Sequence, residues 1–221
     1  MIKPQALPLN IILLGDPAAG KATQAGLLRK NYNLYDFDMG QELMRRQKSN
    51  KALDRLLKDY NDKGKLTPTA IVRKILDEVI HNTPDKKGIL FDGHPKMVGE
   101  ARLVRKWLNA TGRFTPLVIY LSIPLSEIIK RTAGRRGYFA GKYGKRPDDN
   151  EKALKNRRAY YRKNIAEVIK FFKSEYTFVE VSGVGTVTAV KTRIDQAVKK
   201  YQRSILKNIQ STSKRIRRRT N

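Results

Sequence analysis

The sequence contains no cysteine. That removes disulfides and thiolate metal sites and is consistent with a reducing interior. No apolar run reaches the roughly 18 residues of a membrane span. The opening Met1-Ile2-Lys3-Pro4-Gln5 lacks the long apolar segment of a secretory signal. A cytoplasmic protein without membrane contact is the expectation. Internal repeats are absent. Histidine is scarce, with two residues: His81 ends a helix, a favourable place for a cation, and His94 reads as packing. Acidic residues are missing altogether after Asp195, where nine bases remain (Lys199, Lys200, Arg203, Lys207, Lys214, Arg215, Arg217, Arg218 and Arg219).

What is present in excess is positive charge. The 221 residues carry a formal net charge of +27, and +18 remains once the nine terminal bases are taken away. Such a field draws polyanions such as nucleotides, RNA or acidic surfaces. A lysine-rich composition with solvated faces accounts for the folded part equally simply. For Lys214-Arg215-Ile216-Arg217-Arg218-Arg219, polyanion contact and plain solubility both stay open. No DNA specificity is expected.

The most informative stretch is Gly15-Asp16-Pro17-Ala18-Ala19-Gly20-Lys21-Ala22-Thr23-Gln24. It follows the apolar run Ile11-Ile12-Leu13-Leu14 and opens a helix. A buried strand passing through a tight turn into a helix N-terminus presents backbone amides and a helix dipole to a phosphate. Gly15, Gly20 and Lys21 fit the G-x-x-x-x-G-K frame, with the hydroxyl one residue late, at Thr23. The plain alternative is a Gly/Ala turn.

Strands and helices alternate, which predicts a parallel sheet with helices on both faces, a three-layer α/β/α sandwich. Strands are expected over 10–14, 33–37, 88–91, 117–121 and 177–181. Helices are expected over 21–30, 40–47, 52–62, 68–81, 98–110, 125–133, 149–174 and 187–207. Thr67-Pro68 reads as cap and first helical residue, Asp148 or Asp149 as the cap of the long helix, and Thr186 as the cap of the last. Trp107 with Leu103 and Val104 reads as a core face. Two regions break the alternation: 40–73, helices without a strand, and the loop Gly137-Tyr138-Phe139-Ala140-Gly141-Lys142-Tyr143-Gly144-Lys145, whose aromatic and lysine residues would cover a nucleotide or stack RNA.

In open α/β sheets ligands bind beyond the C-terminal strand ends. Asp92 stands at one such end, suited to Mg²⁺ held through water or to a local turn. Arg131, Arg135 and Arg136 end one helix, Arg146 follows the glycine loop, and Arg157 and Arg158 lie on the next helix. Phosphoryl transfer needs positioning and cationic clamping more than covalent chemistry, and arginines on both sides of one loop supply such a clamp.

On these residues the chain resembles the adenylate kinases, within the nucleoside monophosphate kinases, from Ile11 to about Val198. Gly15–Gln24 is similar to the family's phosphate loop. Gly64-Lys65-Leu66-Thr67-Pro68 resembles the entry to the helix that closes the acceptor site. Gly88–Lys96 resembles its Asp-Gly-Phe-Pro-Arg block. Arg131–Arg136 and Arg146-Pro147-Asp148-Asp149 with Arg157 resemble the entry and exit of a short lid, and Ser182-Gly183-Val184-Gly185 the turn beside the donor base. The resemblance implies a five-stranded P-loop core over 1–38, 74–134 and 148–207, an acceptor-binding insert over 39–73, a lid over 135–147 and a basic tail over 208–221, in a monomer.

The implied reaction is reversible transfer from Mg·ATP to a nucleoside monophosphate, most simply AMP. Gly15, Ala18, Ala19, Gly20, Lys21, Ala22, Thr23, Arg131, Arg135 and Gly185 would hold ATP, with Arg131 on the adenine. Thr23 and Asp92 would serve Mg²⁺. Lys21, Asp92, Arg135, Arg146 and Arg157 would carry catalysis, and Met39, Gly40, Met44, Arg45, Gly93, Lys96, Glu100, Arg146 and Arg157 would line the acceptor site.

Departures gather on the acceptor side. Met44 stands where the family has an arginine, with Arg45 about 100° away around a helix. Lys96 replaces a second arginine. Glu100 replaces the glutamine that reads adenine, and its carboxylate suits a base presenting donors, such as guanine. Ala18 and Ala22 replace loop glycines, and Asp16 is expected to point outward, away from ATP. Three readings stay open: AMP as acceptor, another monophosphate (GMP, CMP or UMP), or ATP binding with weak transfer in an RNA- or ribosome-associated protein.

Overall fold

The computed structural model describes residues 7–62, 67–133, 137–139, 142–144 and 151–217. The chain runs β1 (Ile11–Gly15), α1 (Lys21–Tyr32), β2 (Leu34–Phe37), α2 (Met39–Ser49), α3 (Lys51–Asp62), α4 (Thr69–Asn82), β3 (Gly88–Asp92), α5 (Val98–Ala110), β4 (Leu117–Ser122) and α6 (Leu125–Ala133). It continues through β5 (Gly137–Phe139), β6 (Lys142–Gly144), α7 (Glu151–Glu175), β7 (Thr177–Ser182) and α8 (Val187–Arg217).

Five strands form one parallel sheet in the order β2-β3-β1-β4-β7. The central strand β1 pairs with β3 (Ile11 with Leu90) and with β4 (Gly15 with Leu121). Every residue of β1 is buried, as expected of a strand covered on both faces. Ile11 and Leu13 point into one core with Ala25 and Leu28 of α1 and Val190, Ile194 and Val198 of α8. Ile12 and Leu14 point into the other with Ile75 and Leu76 of α4, Val104 of α5 and Val168 and Phe172 of α7. Period-2 side chains on β1 thus meet period-3.6 stripes on both sides, which makes three layers. Among the described residues no helix is long and apolar enough to cross a membrane.

Four local expectations are corrected. α4 starts at Thr69, with Pro68 rather than Thr67 at its cap position and no side-chain cap bond. The segment 137–144 contains an antiparallel pair, β5 with β6, bringing Tyr138 opposite Tyr143. α2 begins at Met39, because Asp38 accepts the Gln41 amide at 2.9 Å and caps it. α8 extends past the expected bound at 207. It runs to Arg217, since no Gly or Pro interrupts it and Tyr201 and Ile205 anchor it to the core. Its start is the expected one, with Thr186 Oγ1 accepting the Ala189 amide at 3.1 Å.

Candidate active site

The turn after β1 is built around positive φ. Gly20 has φ 88° and Ala18 φ 59°. Gly20 takes this conformation freely. Ala18 is strained by roughly 1–2 kcal/mol, a cost the loop bears where its amides must turn inward. Asp16 N–H donates to Leu121 O at 2.9 Å, tying the loop to β4. Lys21, first in α1, folds back so that Nζ donates to Gly15 O at 2.8 Å and Asp16 O at 3.0 Å. Its ammonium is therefore held over the loop opening.

Asp92 ends β3, next to β1, and is the strongest opposite charge acting on Lys21. Burial lowers the Lys21 pKa to about 8, with Asp92 working against the shift. Burial raises the Asp92 pKa to about 6, helped by Asp38 and Asp36 and opposed by Lys21 and Lys96. A buried lysine and a buried carboxyl, each displaced towards neutrality, stand together at the C-terminal end of the sheet, a pattern typical of functional sites. No cluster of three or more His, Cys, Asp or Glu able to hold a metal occurs among the described residues. The residues present fit Mg²⁺ in its usual enzymatic form, on one carboxylate and substrate phosphates. Asp92 would supply that carboxylate, and the exposed Thr23 in the first turn of α1 would supply a hydroxyl.

Beside the loop lies a cleft of about 430 Å³ lined by Ala18, Ala19, Gly20, Thr23, Gln24, Glu127, Arg131, Gly183, Gly185, Thr186, Val187 and Val190. Arg131 spans its wall. Nε donates to Glu127 at 2.8 Å, Nη1 to Ala18 O at 3.3 Å and Nη2 to Gly183 O at 2.8 Å. All three bonds engage the edge of the guanidinium. Gly183 has no room for a side chain, because a Cβ would lie 2.9 Å from Ile123 Cγ2 and 3.1 Å from Ala19 O. The turn after β7 can therefore close against the phosphate loop. Gln24 and Arg193 were not anticipated. Gln24 Nε2 donates to Val187 O at 3.0 Å, and Arg193 donates to Val184 O at 2.8 Å, so both brace the turn. The i,i+4 spacing of Glu127 and Arg131 was a legible signal; the Gln24 contact spans 163 positions and left none.

Asp16 contradicts its expectation. It is wholly buried and turned under the loop, accepting from Tyr120, Ile123 and Arg162. Its charge is kept from the phosphates by inward burial and pairing, not by outward exposure. These bonds, with Arg162 foremost, hold its carboxyl below the ordinary range despite burial.

The acceptor-side residues are placed as follows. Met44 is 57% exposed. Arg45 pairs with Glu42 at 2.8 Å and lines a groove with Tyr35, Arg46 and Glu78, none of which borders the donor cleft. Met39 packs against the Phe37 side of the core. Gly40 follows it in the first turn of α2, and Gly93 sits at φ 66° directly after Asp92. The Lys96 charge acts on Lys21, Asp92, His94 and Glu100 alike, so it belongs to the site. Glu100 is 7% exposed. Its Oε2 accepts the amides of Lys96 at 3.0 Å and Met97 at 3.2 Å, capping its own helix. His94 is buried, edge-on to Phe37 with centroids 5.7 Å apart, and burial lowers its pKa to about 3. It is a neutral packing residue. Arg135, Arg136, Arg146, Asp148, Asp149 and Gly64-Lys65-Leu66 lie outside the described residues. The Arg157 side chain does too, although its backbone belongs to α7.

A parallel sheet of this order, with a lysine-bearing amide loop after its central strand and a carboxylate at the end of the adjoining one, defines a P-loop phosphotransferase. The model of the family described as adenylate kinase matches residues 13–177. The chain is 32% identical over 190 residues to the adenylate kinase of Parabacteroides distasonis, an alignment covering 86% of this chain and 97% of that protein. It is 31% identical over 192 residues to the adenylate kinase of Bacteroides thetaiotaomicron, covering 87% and 99%. It is 30% identical over 190 residues to that of Flavobacterium psychrophilum, covering 86% and 98%. The chain belongs to the adenylate kinase family and is a nucleotide-binding phosphotransferase of that family.

Proposed function

We propose that the protein transfers the γ-phosphoryl group of ATP reversibly to a nucleoside monophosphate, with AMP as acceptor. The observation that carries this reading is the Lys21 ammonium, fixed on the carbonyls of Gly15 and Asp16 and facing Asp92.

In this reading the triphosphate lies along the amides of residues 18–23. Lys21 contacts the β- and γ-phosphates, and the negative charge brought in restores its proton affinity. Mg²⁺ would add charge neutralisation between the phosphates, with Asp92 and Thr23 beside it. The adenine rests against the Arg131 face left open by its three edge bonds, a cation–π arrangement. Arg135, Arg146 and Arg157 supply the clamp on the migrating group. The segment 39–73 forms the acceptor insert and 135–147 the lid. The attacking acceptor oxygen is already anionic at neutral pH, so no side chain need remove a proton.

A second reading, another monophosphate as the better acceptor, draws on the acceptor-side departures. Glu100 spends its carboxylate on helix amides, and Met44 brings no charge, so the base and phosphate of AMP lose two of the contacts the family resemblance implies. The basic end of α8 carries charge but no further feature that selects RNA, so the partners proposed are nucleotides. The test is a coupled assay of ADP formation from Mg·ATP with AMP, GMP, CMP and UMP in turn. Turnover with AMP as the preferred acceptor is expected. Preference for another monophosphate would replace AMP in the scheme, and ATP binding without turnover on any of the four would refute it.

A further inference from the structure

Position 16, second in the phosphate loop, holds a carboxylate with no solvent exposure. Oδ1 accepts from the Tyr120 hydroxyl at 3.0 Å and from Arg162 Nε at 3.1 Å. Oδ2 accepts from the Ile123 amide at 3.1 Å and from Arg162 Nη2 at 3.0 Å. The guanidinium therefore grips the carboxylate with two parallel bonds, a geometry that fixes direction as well as distance.

The two partners belong to different parts of the site. The Asp16 carbonyl accepts the Lys21 ammonium. Arg162 stands on α7 four residues after Arg158, whose Nη2 donates to Ile123 O at 3.3 Å. The Ile123 residue is thus held on both sides, its N–H by Asp16 and its C=O by Arg158. Further along α7, Ile165, Val168 and Phe172 are buried in the core. The apolar seam sets the helix rotation at one end, and the fork on Asp16 sets it at the other. The carboxylate is buried while the Arg162 side chain is 48% exposed, and an ion pair that must desolvate one partner contributes little net stability compared with apolar packing. What it can contribute is a defined geometry.

We infer that Asp16 and Arg162 are a pair of positioning residues that lock the rotation of α7 against the phosphate loop and so fix the bearing of position 157, five residues earlier in the helix, towards the loop that carries Lys21. This rests on the phosphotransfer reading of the same loop. Neither residue touches the nucleotide; both act through the elements they join.

The test compares the full chain with Asp16→Asn, Arg162→Lys, Arg162→Met and Asp16→Asn/Arg162→Met, measuring kcat, KM for ATP and melting temperature. Arg162→Met is expected to lower kcat about 10–100-fold, the scale of an ångström-sized misplacement, with KM for ATP changed by less than about threefold. Arg162→Lys, which keeps the charge but cannot fork, is expected to recover only part of the loss and guards against a variant that fails to fold. The double variant is expected to be no slower than the slower single one, because both substitutions break one contact. Near-parental kcat with only a lowered melting temperature, or single effects that multiply, would overturn the pairing while leaving the phosphotransfer reading intact. An unsubstituted protein with no transfer would overturn both.

Discussion

Lys21→Met separates function from stability, because the structure predicts a large loss of the first and little change in the second. The Lys21 ammonium is buried enough to lower its pKa to about 8, against about 10.4 for a free lysine. At about 1.4 kcal/mol for each tenfold loss of proton affinity, keeping it charged costs the empty fold roughly 3 kcal/mol at neutral pH. Met removes that cost and gives up the contacts to Gly15 O and Asp16 O, worth about 1.5 kcal/mol each for a charged donor. The two nearly cancel, so at pH 7 the melting point should stay within roughly 3 °C of the parent. Phosphotransfer should fall by about 10²–10³, the scale of losing one preorganised donor to the transition state. The pH dependence provides a second check. Above about pH 8 the folded chain releases a proton that the unfolded chain retains to about pH 10.4, so parental stability rises across that window. The variant lacks this rise and should fall behind the parent from pH 8 to pH 10. Thermal unfolding without nucleotide, followed by circular dichroism from pH 7 to 10, reads both. A variant that melts more than about 6 °C from the parent at pH 7, or a gap that ignores pH, would refute the reasoning.

Asp92, with its pKa raised to about 6, predicts that kcat/KM at limiting Mg²⁺ falls as pH drops through 6, that excess Mg²⁺ moves the fall to lower pH, and that Asp92→Asn abolishes it; the same inflection in Asp92→Asn would assign it elsewhere. Met44→Arg is expected to raise kcat/KM for AMP about 10–100-fold, the scale of one hydrogen bond to a charged group, and a decrease would show that position 44 does not face the acceptor phosphate. Glu100→Ala should lower the melting point by about 2–4 °C through loss of a helix cap of about 1 kcal/mol. Glu100→Gln should retain the cap and leave the order of acceptor preference unchanged. A tenfold shift between AMP and GMP in Glu100→Gln would return Glu100 to base recognition.

The fold was legible because its signals are local and repeated. The run Ile11–Leu14 has the length and apolarity of a strand covered on both faces, and the apolar spacing in Val98–Ala110 and Leu125–Ala133 matches the helices end to end. The phosphate loop was legible as a spacing of glycines and a lysine. Side-chain direction was not. Asp16 meets Arg162 across 146 positions, a distance at which periodicity carries no information, and its burial became visible only once β1 and β4 were side by side. Glu100 illustrates a different limit. Its place at the third position of a helix pointed to the amides of Lys96 and Met97, but the family resemblance pointed to a base, and the local hydrogen-bond demand of the helix end prevails in the structure. The continuation of α8 past Lys207 shows a third case, in which terminal basic composition suggested a tail although no breaking residue ends the helix.

The central claim is direct transfer at the Lys21 loop, and a single-turnover reaction with γ-labelled ATP, Mg²⁺ and excess AMP tests it. The account predicts label in ADP formed from AMP, with loss of transfer in Lys21→Met. Label appearing only as inorganic phosphate, or transfer undiminished in Lys21→Met, would contradict it.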